Sequence, residues 1–125
     1  MSVTDAPALR ETTPRIWFDG VLVDAAAPHA ALTTHAMHYG SGVFEGIRSY
    51  ATSDGAAVFR LPEHLERMQS GCNLLGIPFD VAVATDAVLA TLRANGHRDA
   101  YVRPLAWCGT GSIVMTQRFL HRSGR

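Results

Sequence analysis

The middle of the chain repeats apolar residues at the spacing of an α-helix. Over 62–76 the apolar positions are Leu65, Met68, Cys72 and Leu75, and charged or amide side chains occupy other positions of the helical wheel. A proline opens this stretch, where its missing N–H costs nothing, and a glycine and a proline end it. The pattern predicts an amphipathic helix over 62–76.

A second stretch with the same period follows directly. Over 81–94 one face carries Val81, Ala84, Val88 and Leu92, and an Asn-Gly pair comes immediately afterwards as a C-terminal signal. We therefore predict a second helix over 81–94.

Short apolar runs on either side of the helices predict β-strands. In "RIWFDGVLVDA" the Asp-Gly pair is the signal for a two-residue turn, which predicts a hairpin of 16–18 and 21–23. Turn residues in "SDGAA" predict a second hairpin over 47–60. The run "DAYVRPLAWCG" predicts one further strand over 101–106.

The order of these elements predicts the fold class. Strands, two helices and a final strand favour an α+β domain of two layers, in which the helices pack on a mostly antiparallel sheet. We expect this sheet to contain 47–51, 58–60 and 101–106.

The chain of 125 residues suits a single domain. The polar, proline-containing segment 1–14 predicts a mobile lead-in, and the domain itself is expected over 15–108. The segment 109–125 begins like a strand but ends basic and polar, without a pattern that closes the fold. We therefore expect an irregular tail there.

Composition excludes several classes of function. The formal net charge is zero, so electrostatics do not favour nucleic acid or an anionic membrane as a partner. The apolar runs are too short to span a bilayer, and the N-terminus lacks the apolar core of a signal peptide. Cys72 and Cys108 are far apart in sequence, which predicts no disulfide framework and favours a reducing compartment, the cytoplasm.

The stretch "HAMHYGSGVFEGIRSY" over 35–50 concentrates residues that can do chemistry. His35 and His38 are three positions apart, a spacing that on a helix can hold a metal ion. The segment is not predicted to be helical, and no cysteine or carboxylate lies at ligand spacing. We expect no metal site, and assign the two histidines to packing and hydrogen bonding.

Three arginines are candidates for binding an anion. Arg48 and Arg103 lie in strand-like stretches, where they either meet an anion in the interior or point to solvent from an exposed sheet face. Arg67 lies on the first predicted helix, where it either binds a phosphate or carboxylate or remains a surface residue. The "GTGS" run at 109–112 resembles a phosphate loop only weakly and favours a plain turn.

Four motifs carry a resemblance to a known family. The runs "IWFDGVLV", "HAMHYGSGVFEGIRSY", "VFRLPEHLERM" and "DAYVRPL" occur in this order over 15–105. They resemble the N-terminal part of branched-chain amino acid aminotransferases, which belong to the fold-type IV enzymes that use pyridoxal 5′-phosphate. The resemblance implies the small N-terminal α+β domain of that fold. D-amino acid aminotransferases and aminodeoxychorismate lyases, which share the general layout, remain alternatives.

The resemblance implies that the 35–50 stretch lines a substrate pocket. Tyr39 and Phe44 match aromatic residues that form walls around the branched side chain of the substrate. Gly46 matches a glycine beside that site, where a larger side chain would intrude.

The same resemblance implies anionic partners for the arginines. Arg67, in "EHLERM", matches the residue that binds the phosphate of the cofactor. Arg103, in "YVRPL", matches an arginine that helps to hold the carboxylate of acidic substrates, with Tyr101 next to it. Arg48 matches an arginine near the pocket for which the resemblance implies no defined role.

The chain departs from the family in one chemical respect. It contains no lysine, whereas the family attaches its cofactor to a lysine in a C-terminal domain that has no counterpart in these 125 residues. No catalytic residue is therefore assigned. We expect a truncated N-terminal part, inactive alone, of an enzyme that exchanges amino groups between Leu, Ile or Val and 2-oxoglutarate and forms homo-oligomers. A non-catalytic binding or pairing module is the alternative.

Overall fold

The computed structural model describes residues 14–110 and 121–124. Its elements, in chain order, are β1 (Arg15–Phe18), β2 (Val21–Asp24), α1 (His35–Tyr39), β3 (Gly42–Phe44), β4 (Ile47–Thr52), β5 (Gly55–Val58), α2 (Leu61–Leu75), α3 (Val81–Asn95), β6 (Ala100–Val102), β7 (Leu105–Cys108) and β8 (His121–Gly124). The predicted lead-in, apart from Pro14, and the strand-like beginning of the predicted tail lie outside the described residues.

The strands form two antiparallel sheets. One has the order β2-β1-β8-β7-β3 and the other has the order β5-β4-β6. Both predicted hairpins are confirmed, as β1–β2 and β4–β5. The first turns at Asp19 and Gly20, whose φ angles of 47° and 95° suit a tight two-residue turn, since aspartate and glycine tolerate positive φ.

Both predicted helices are confirmed within one residue at each end. α3 begins at a proper cap, because the Asp80 carboxylate accepts a hydrogen bond from the backbone N–H of Val83 at 3.1 Å. α2 and α3 end at Gly76 and Gly96 respectively, as their sequences predict. The buried face of α2 differs slightly from the prediction, because Leu61 is buried whereas Leu75, at the last turn, is exposed.

α2 packs against both sheets. Its first half, with Leu61 and Leu65, joins a cluster that includes Ile47 of the three-stranded sheet and the inner face of α3. Its second half, with Met68 and Cys72, joins a cluster that includes the inner residues of β7 in the five-stranded sheet. The predicted two-layer α+β arrangement is therefore confirmed, and the middle of α2 crosses the line where the sheets meet.

The predicted single sheet and single strand over 101–106 are wrong. This stretch belongs to two strands, β6 and β7, which lie in different sheets and are separated by Arg103 and Pro104. Proline has no N–H to donate, so it interrupts the hydrogen-bonded ladder at this point. Likewise the predicted strand over 58–60 ends at Val58, because Arg60 has a φ of 53°.

Two further expectations need correction. The segment His35–Tyr39, which was not predicted to be helical, forms α1. A helix of this length is too short to display an apolar period, so its sequence carried no helical signal. In the predicted irregular tail, His121–Gly124 forms β8, which pairs with β7 and contacts β1.

Among the described residues, no helix combines the length and the apolar character needed to cross a membrane.

Candidate functional site

The two sheets meet at two places where the chain leaves one sheet and enters the other. Glu45 and Gly46 separate β3 from β4, and Arg103 and Pro104 separate β6 from β7. The backbone N–H of Glu45 donates to the carbonyl oxygen of Pro104 at 3.2 Å, so the two interruptions lie side by side. We call these four residues the sheet junction. It brings the sequence motifs "VFEGI" and "YVRPL" to one place.

Glu45 lies in the sheet junction with its side chain only 5% exposed. Its Oε1 accepts a hydrogen bond from Arg67 Nε at 2.6 Å, and its Oε2 accepts one from Arg67 Nη2 at 2.7 Å. Nδ1 of His64 lies 2.9 Å from the same Oε2. His64 and Arg67 are three residues apart on α2 and thus share one face of the helix. Two α2 side chains therefore converge on one buried carboxylate.

The charge of Glu45 is stabilised by these partners. The hydrogen bonds from Arg67 hold the pKa of Glu45 below its ordinary value, although burial acts in the opposite direction. Glu45 in turn raises the pKa of Arg67, which stays charged. Because an ionised carboxylate has no proton to donate, Nδ1 of His64 carries the hydrogen of the bond between them.

Arg67 is suited to bind a phosphate group. Its side chain is 72% exposed, and Nη1 makes no bond to Glu45, so charged N–H groups remain accessible at a guanidinium that is already oriented. A shallow cavity of about 220 Å³ lies beside it. The other residues that line this cavity are Phe59, Arg60, Glu63 and His64.

A second group of predicted residues surrounds Arg103. The Arg103 guanidinium carbon lies 4.3 Å from the centre of the Phe44 ring, and its Nη2 donates to the Tyr101 hydroxyl at 2.6 Å. A Cβ atom at Gly46 would collide with that hydroxyl and would lie 2.9 Å from the Tyr101 Cζ atom. The structure therefore brings these four predicted residues together, and glycine at 46 leaves room for the Tyr101 ring.

The aromatic residues of this group are open to solvent. Phe44 is 58% exposed and Tyr101 is 53% exposed. Phe44 and Arg103 also border a cavity of about 560 Å³, whose walls include Trp17, Leu105 and Trp107. The site thus offers apolar space next to a guanidinium.

The remaining predicted residues lie on neighbouring elements. Tyr39 is on α1, where its ring centroid lies 4.6 Å from that of His35. Arg48 is exposed on β4, opposite Tyr101 of β6, and its guanidinium carbon lies 5.9 Å from the Tyr50 ring. Arg48 and Arg103 are both exposed, Arg48 on β4 and Arg103 at the sheet junction outside any strand, so the alternative of a buried arginine does not hold for either.

The two histidines of the 35–50 stretch make hydrogen bonds. Nδ1 of His35 lies 2.6 Å from the Ser41 hydroxyl, and Nε2 of His38 lies 2.7 Å from the carbonyl oxygen of Leu32. Within residues 14–110 and 121–124, no three potential metal ligands form a group.

Sequence reasoning missed Glu45 and His64 as members of the site. A signal for Glu45 was present, because a carboxylate inside a run of apolar and small residues requires a partner when it is buried. The partner could not be read from the sequence, since Arg67 lies 22 positions away.

The comparisons with known proteins decide the family. The family model described as "Amino-transferase class IV" matches residues 42–120, more than half of the chain. The chain belongs to the class IV aminotransferases. The predicted resemblance to this family is therefore confirmed.

The class IV aminotransferases most similar to this chain include the branched-chain-amino-acid aminotransferase of Pseudomonas aeruginosa. It is 38% identical over 97 residues, which are 76% of this chain and 32% of that protein. The crystal structure of the Escherichia coli branched-chain amino acid aminotransferase matches with a TM-score of 0.82 and 30% identity, over 90% of this chain and 38% of that one. The chain thus spans about a third of the length of this curated relative.

A third class IV aminotransferase carries a ligand. The branched-chain amino acid aminotransferase of T.th., in complex with N-(5′-phosphopyridoxyl)-L-glutamate, matches with a TM-score of 0.80 and 34% identity, over 90% of this chain and 40% of that one. Another structure of the same enzyme contains pyridoxamine 5′-phosphate. The class IV aminotransferases are thus a family of pyridoxal-phosphate-dependent transferases.

Proposed function

We propose that this chain supplies the phosphate-binding and substrate-binding residues of a branched-chain amino acid aminotransferase. One observation carries the proposal: Glu45, which holds Arg67, lies directly between Phe44 and Gly46 of the Arg103 group. The three-residue segment 44–46 thus contacts both the proposed phosphate-binding arginine, Arg67, and the apolar pocket that contains the Arg103 guanidinium. The names of the relatives support the choice of this activity.

In this proposal each residue has a defined task. Arg67 binds the phosphate of pyridoxal 5′-phosphate through charge-assisted hydrogen bonds. Arg103, oriented by its bond to the Tyr101 hydroxyl, binds a carboxylate of the substrate. Phe44 and Tyr101 contact the branched side chain and exclude water from it.

Two more residues complete the proposed pocket. Gly46 keeps its wall open, because any larger side chain would displace the Tyr101 ring. Tyr39 contributes a further aromatic wall from α1. The proposed substrates are Leu, Ile or Val together with the matching 2-oxo acids, and 2-oxoglutarate as the acidic partner.

The cofactor, when bound, supplies the carbonyl group and the electron-withdrawing ring that amino-group transfer requires. The side chains of this chain include no amine that could attach it covalently, because there is no lysine among the 125 residues. Its residues therefore bind and orient, and we propose that the chain alone does not turn over substrate.

The lysine count also favours a second candidate, a module that binds a phosphate-containing ligand without catalysis. The two candidates share Arg67 and differ in whether Phe44, Tyr101 and Arg103 select an amino acid substrate. Other fold-type IV activities, on D-amino acids or aminodeoxychorismate, share the phosphate site and differ in this pocket.

We further propose that the protein resides in the cytoplasm and associates with itself. Cys72 and Cys108 are free thiols in one buried cluster, which agrees with a reducing compartment. The exposed aromatic rings of Phe44, Phe59 and Tyr101 provide apolar surface for association. Sedimentation that shows a monomer at high concentration would contradict the second statement.

A chimera tests the proposed activity. Residues 15–108 replace the matching part of the Pseudomonas aeruginosa relative, and transamination of leucine with 2-oxoglutarate is measured. We expect the chimera to be active. F44A should lower its activity with leucine by about tenfold or more relative to its activity with alanine, because a hydrophobic wall of the pocket is lost. R67A should weaken retention of the cofactor, whereas R93A should not, because Arg93 is exposed on the last turn of α3 and does not line the cavity beside Arg67.

Other results of this experiment would redirect the proposal. A chimera that retains the cofactor but transfers no amino group from leucine would favour the binding module. For the chain alone, we expect borohydride reduction with pyridoxal 5′-phosphate to leave every internal side chain without an adduct in mass spectrometry. An internal adduct would show that the chain attaches the cofactor after all.

A further inference from the structure

Glu45 is a buried charge whose effect on ligand binding the proposed function does not specify. Its side chain is 5% exposed, lies behind Arg67, and points to the same α2 face that carries His64. An ion pair with this geometry either serves only to hold α2 against the sheet junction or also prepares Arg67 for its ligand. The two roles have different consequences for ligand binding.

We propose that Glu45 is a positioning residue, which holds the Arg67 guanidinium in the orientation that binds a phosphate group. The proposal rests on the proposed role of Arg67 in binding a phosphate. Glu45 engages Nε and Nη2 of Arg67 at 2.6 and 2.7 Å, so both ends of one edge of the planar guanidinium are tied down. The edge that includes Nη1 then faces away from the carboxylate.

His64 stabilises the carboxylate in this position. Its Nδ1–H donates to Oε2, the same oxygen that accepts from Nη2 of Arg67. Glu45 is also tied through its own backbone, because its N–H donates to the carbonyl oxygen of Pro104. A residue that is fixed through both its backbone and its side chain gives Arg67 a rigid support, although Arg67 itself is largely exposed.

This rigidity has a measurable effect on binding. An exposed arginine samples many rotamers, and a ligand that immobilises such a side chain loses affinity. Glu45 has already restricted Arg67 in the folded chain, so a phosphate group does not have to. Removal of this restraint should lower the affinity for phosphate by about twofold to tenfold.

Coulomb's law alone predicts the opposite sign. Glu45 is a negative charge close to the proposed phosphate, so its removal should raise the affinity for an anion. The sign of the change in E45Q therefore separates positioning from simple charge. Glu63 offers a matched control, because it also pairs with an arginine, Arg60 just before α2, at an N–O distance of 3.3 Å, but does not touch Arg67.

The experiment titrates the 125-residue chain with inorganic phosphate and follows binding by ³¹P NMR. The variants are E45Q, E63Q and R67A, each checked for cooperative thermal unfolding. In the same samples the Nε–H resonance of Arg67 reports its hydrogen bond to Glu45. E45D provides a second variant in case E45Q does not fold, since it keeps the charge but shortens the reach.

We expect E45Q and E45D to bind phosphate more weakly than the wild type and to lose the shifted Nε–H resonance of Arg67. E63Q should keep that resonance and should not bind more weakly. If R67A abolishes binding while E45Q and E45D bind as tightly as the wild type or more tightly, the positioning role is wrong and the phosphate role stands. If wild type and R67A do not differ, the phosphate role of Arg67 is wrong, and the positioning role fails with it.

Discussion

Replacement of Gly71 by alanine should destabilise the chain, although alanine is the better helix former. Gly71 is one turn after Arg67 on α2, on the face that packs against β3. A Cβ atom there would lie 2.8 Å from Val43 Cγ1 and 3.2 Å from Val43 Cγ2. The glycine therefore permits a close approach of helix and strand, next to the pair of Arg67 and Glu45.

The size of the effect follows from two opposing terms. The shorter distance is about 0.7 Å below the smallest ordinary carbon–carbon contact, and the β-branched Val43 has little rotamer freedom with which to move away. Overpacking of this kind costs about 1–3 kcal/mol. The higher helix propensity of alanine offsets about 1 kcal/mol of this cost. We therefore expect G71A to lower the free energy of unfolding by about 1 kcal/mol.

Urea unfolding of four chains measures this balance: wild type, G71A, V43A and the double variant. In the V43A background both Cγ methyl groups are gone, so only the propensity term remains and G71A should stabilise by about 1 kcal/mol. The substitution thus changes sign between the two backgrounds. If G71A stabilises both backgrounds equally, α2 and β3 are not as close at this point as the structure indicates.

Three further changes have defined outcomes. In the folded chain the pKa of Glu45 lies below its ordinary value of 4.5, so the contribution of Glu45 to stability is complete above pH 4.5 and is lost as the pH falls below 4.5. Acid should therefore lower the unfolding temperature of the wild type more than that of E45Q. G46A should displace the Tyr101 ring and change the near-ultraviolet circular dichroism, with little change in stability, because only an exposed ring has to move. N95A should lower the free energy of unfolding by about 1–3 kcal/mol, because it leaves the backbone N–H and carbonyl groups of Arg15 without their side-chain partner.

Matched controls accompany these changes. N73A, which removes an exposed asparagine of α2, should unfold like the wild type in the assay used for N95A. Y101F removes the hydrogen bond to Arg103 without displacing the ring. It should therefore reproduce only the part of the G46A effect that comes from the loss of that bond. Identical acid sensitivity of wild type and E45Q would contradict the lowered pKa of Glu45, and an unchanged near-ultraviolet spectrum of G46A would contradict the predicted collision.

Local signals in the sequence were sufficient for most elements. The helical period over 62–76 and 81–94 predicted α2 and α3, and the Asp-Gly pair predicted the turn between β1 and β2. These features depend on residues a few positions apart, whose interactions do not need the rest of the fold. The motif around 35–50 likewise indicated the family before any contact was known, and the family model confirmed it.

The substrate-side residues were named from motifs, but their contacts were not. Phe44, Gly46, Tyr101 and Arg103 were assigned separately, from two stretches more than 50 positions apart. Their meeting depends on the pairing of β3 with β7 and of β4 with β6, and the hydrogen bond between Glu45 and Pro104 lies between these two pairings. No local pattern encodes that bond, because it joins two places where the regular strand pattern stops.

The sequence by itself therefore determined α2 and α3, the two hairpins, the family and the absence of an amine side chain for covalent chemistry. Only the tertiary structure decided that the strands form two sheets, that one apolar run is divided between them, and that α2 lies across both. It also decided the role of Glu45, whose burial and pairing with Arg67 arise when α2 packs over the sheet junction. The physical reason is that period, caps and turn residues act over a few positions, whereas burial and charge pairing depend on distant segments that only the folded chain brings into contact.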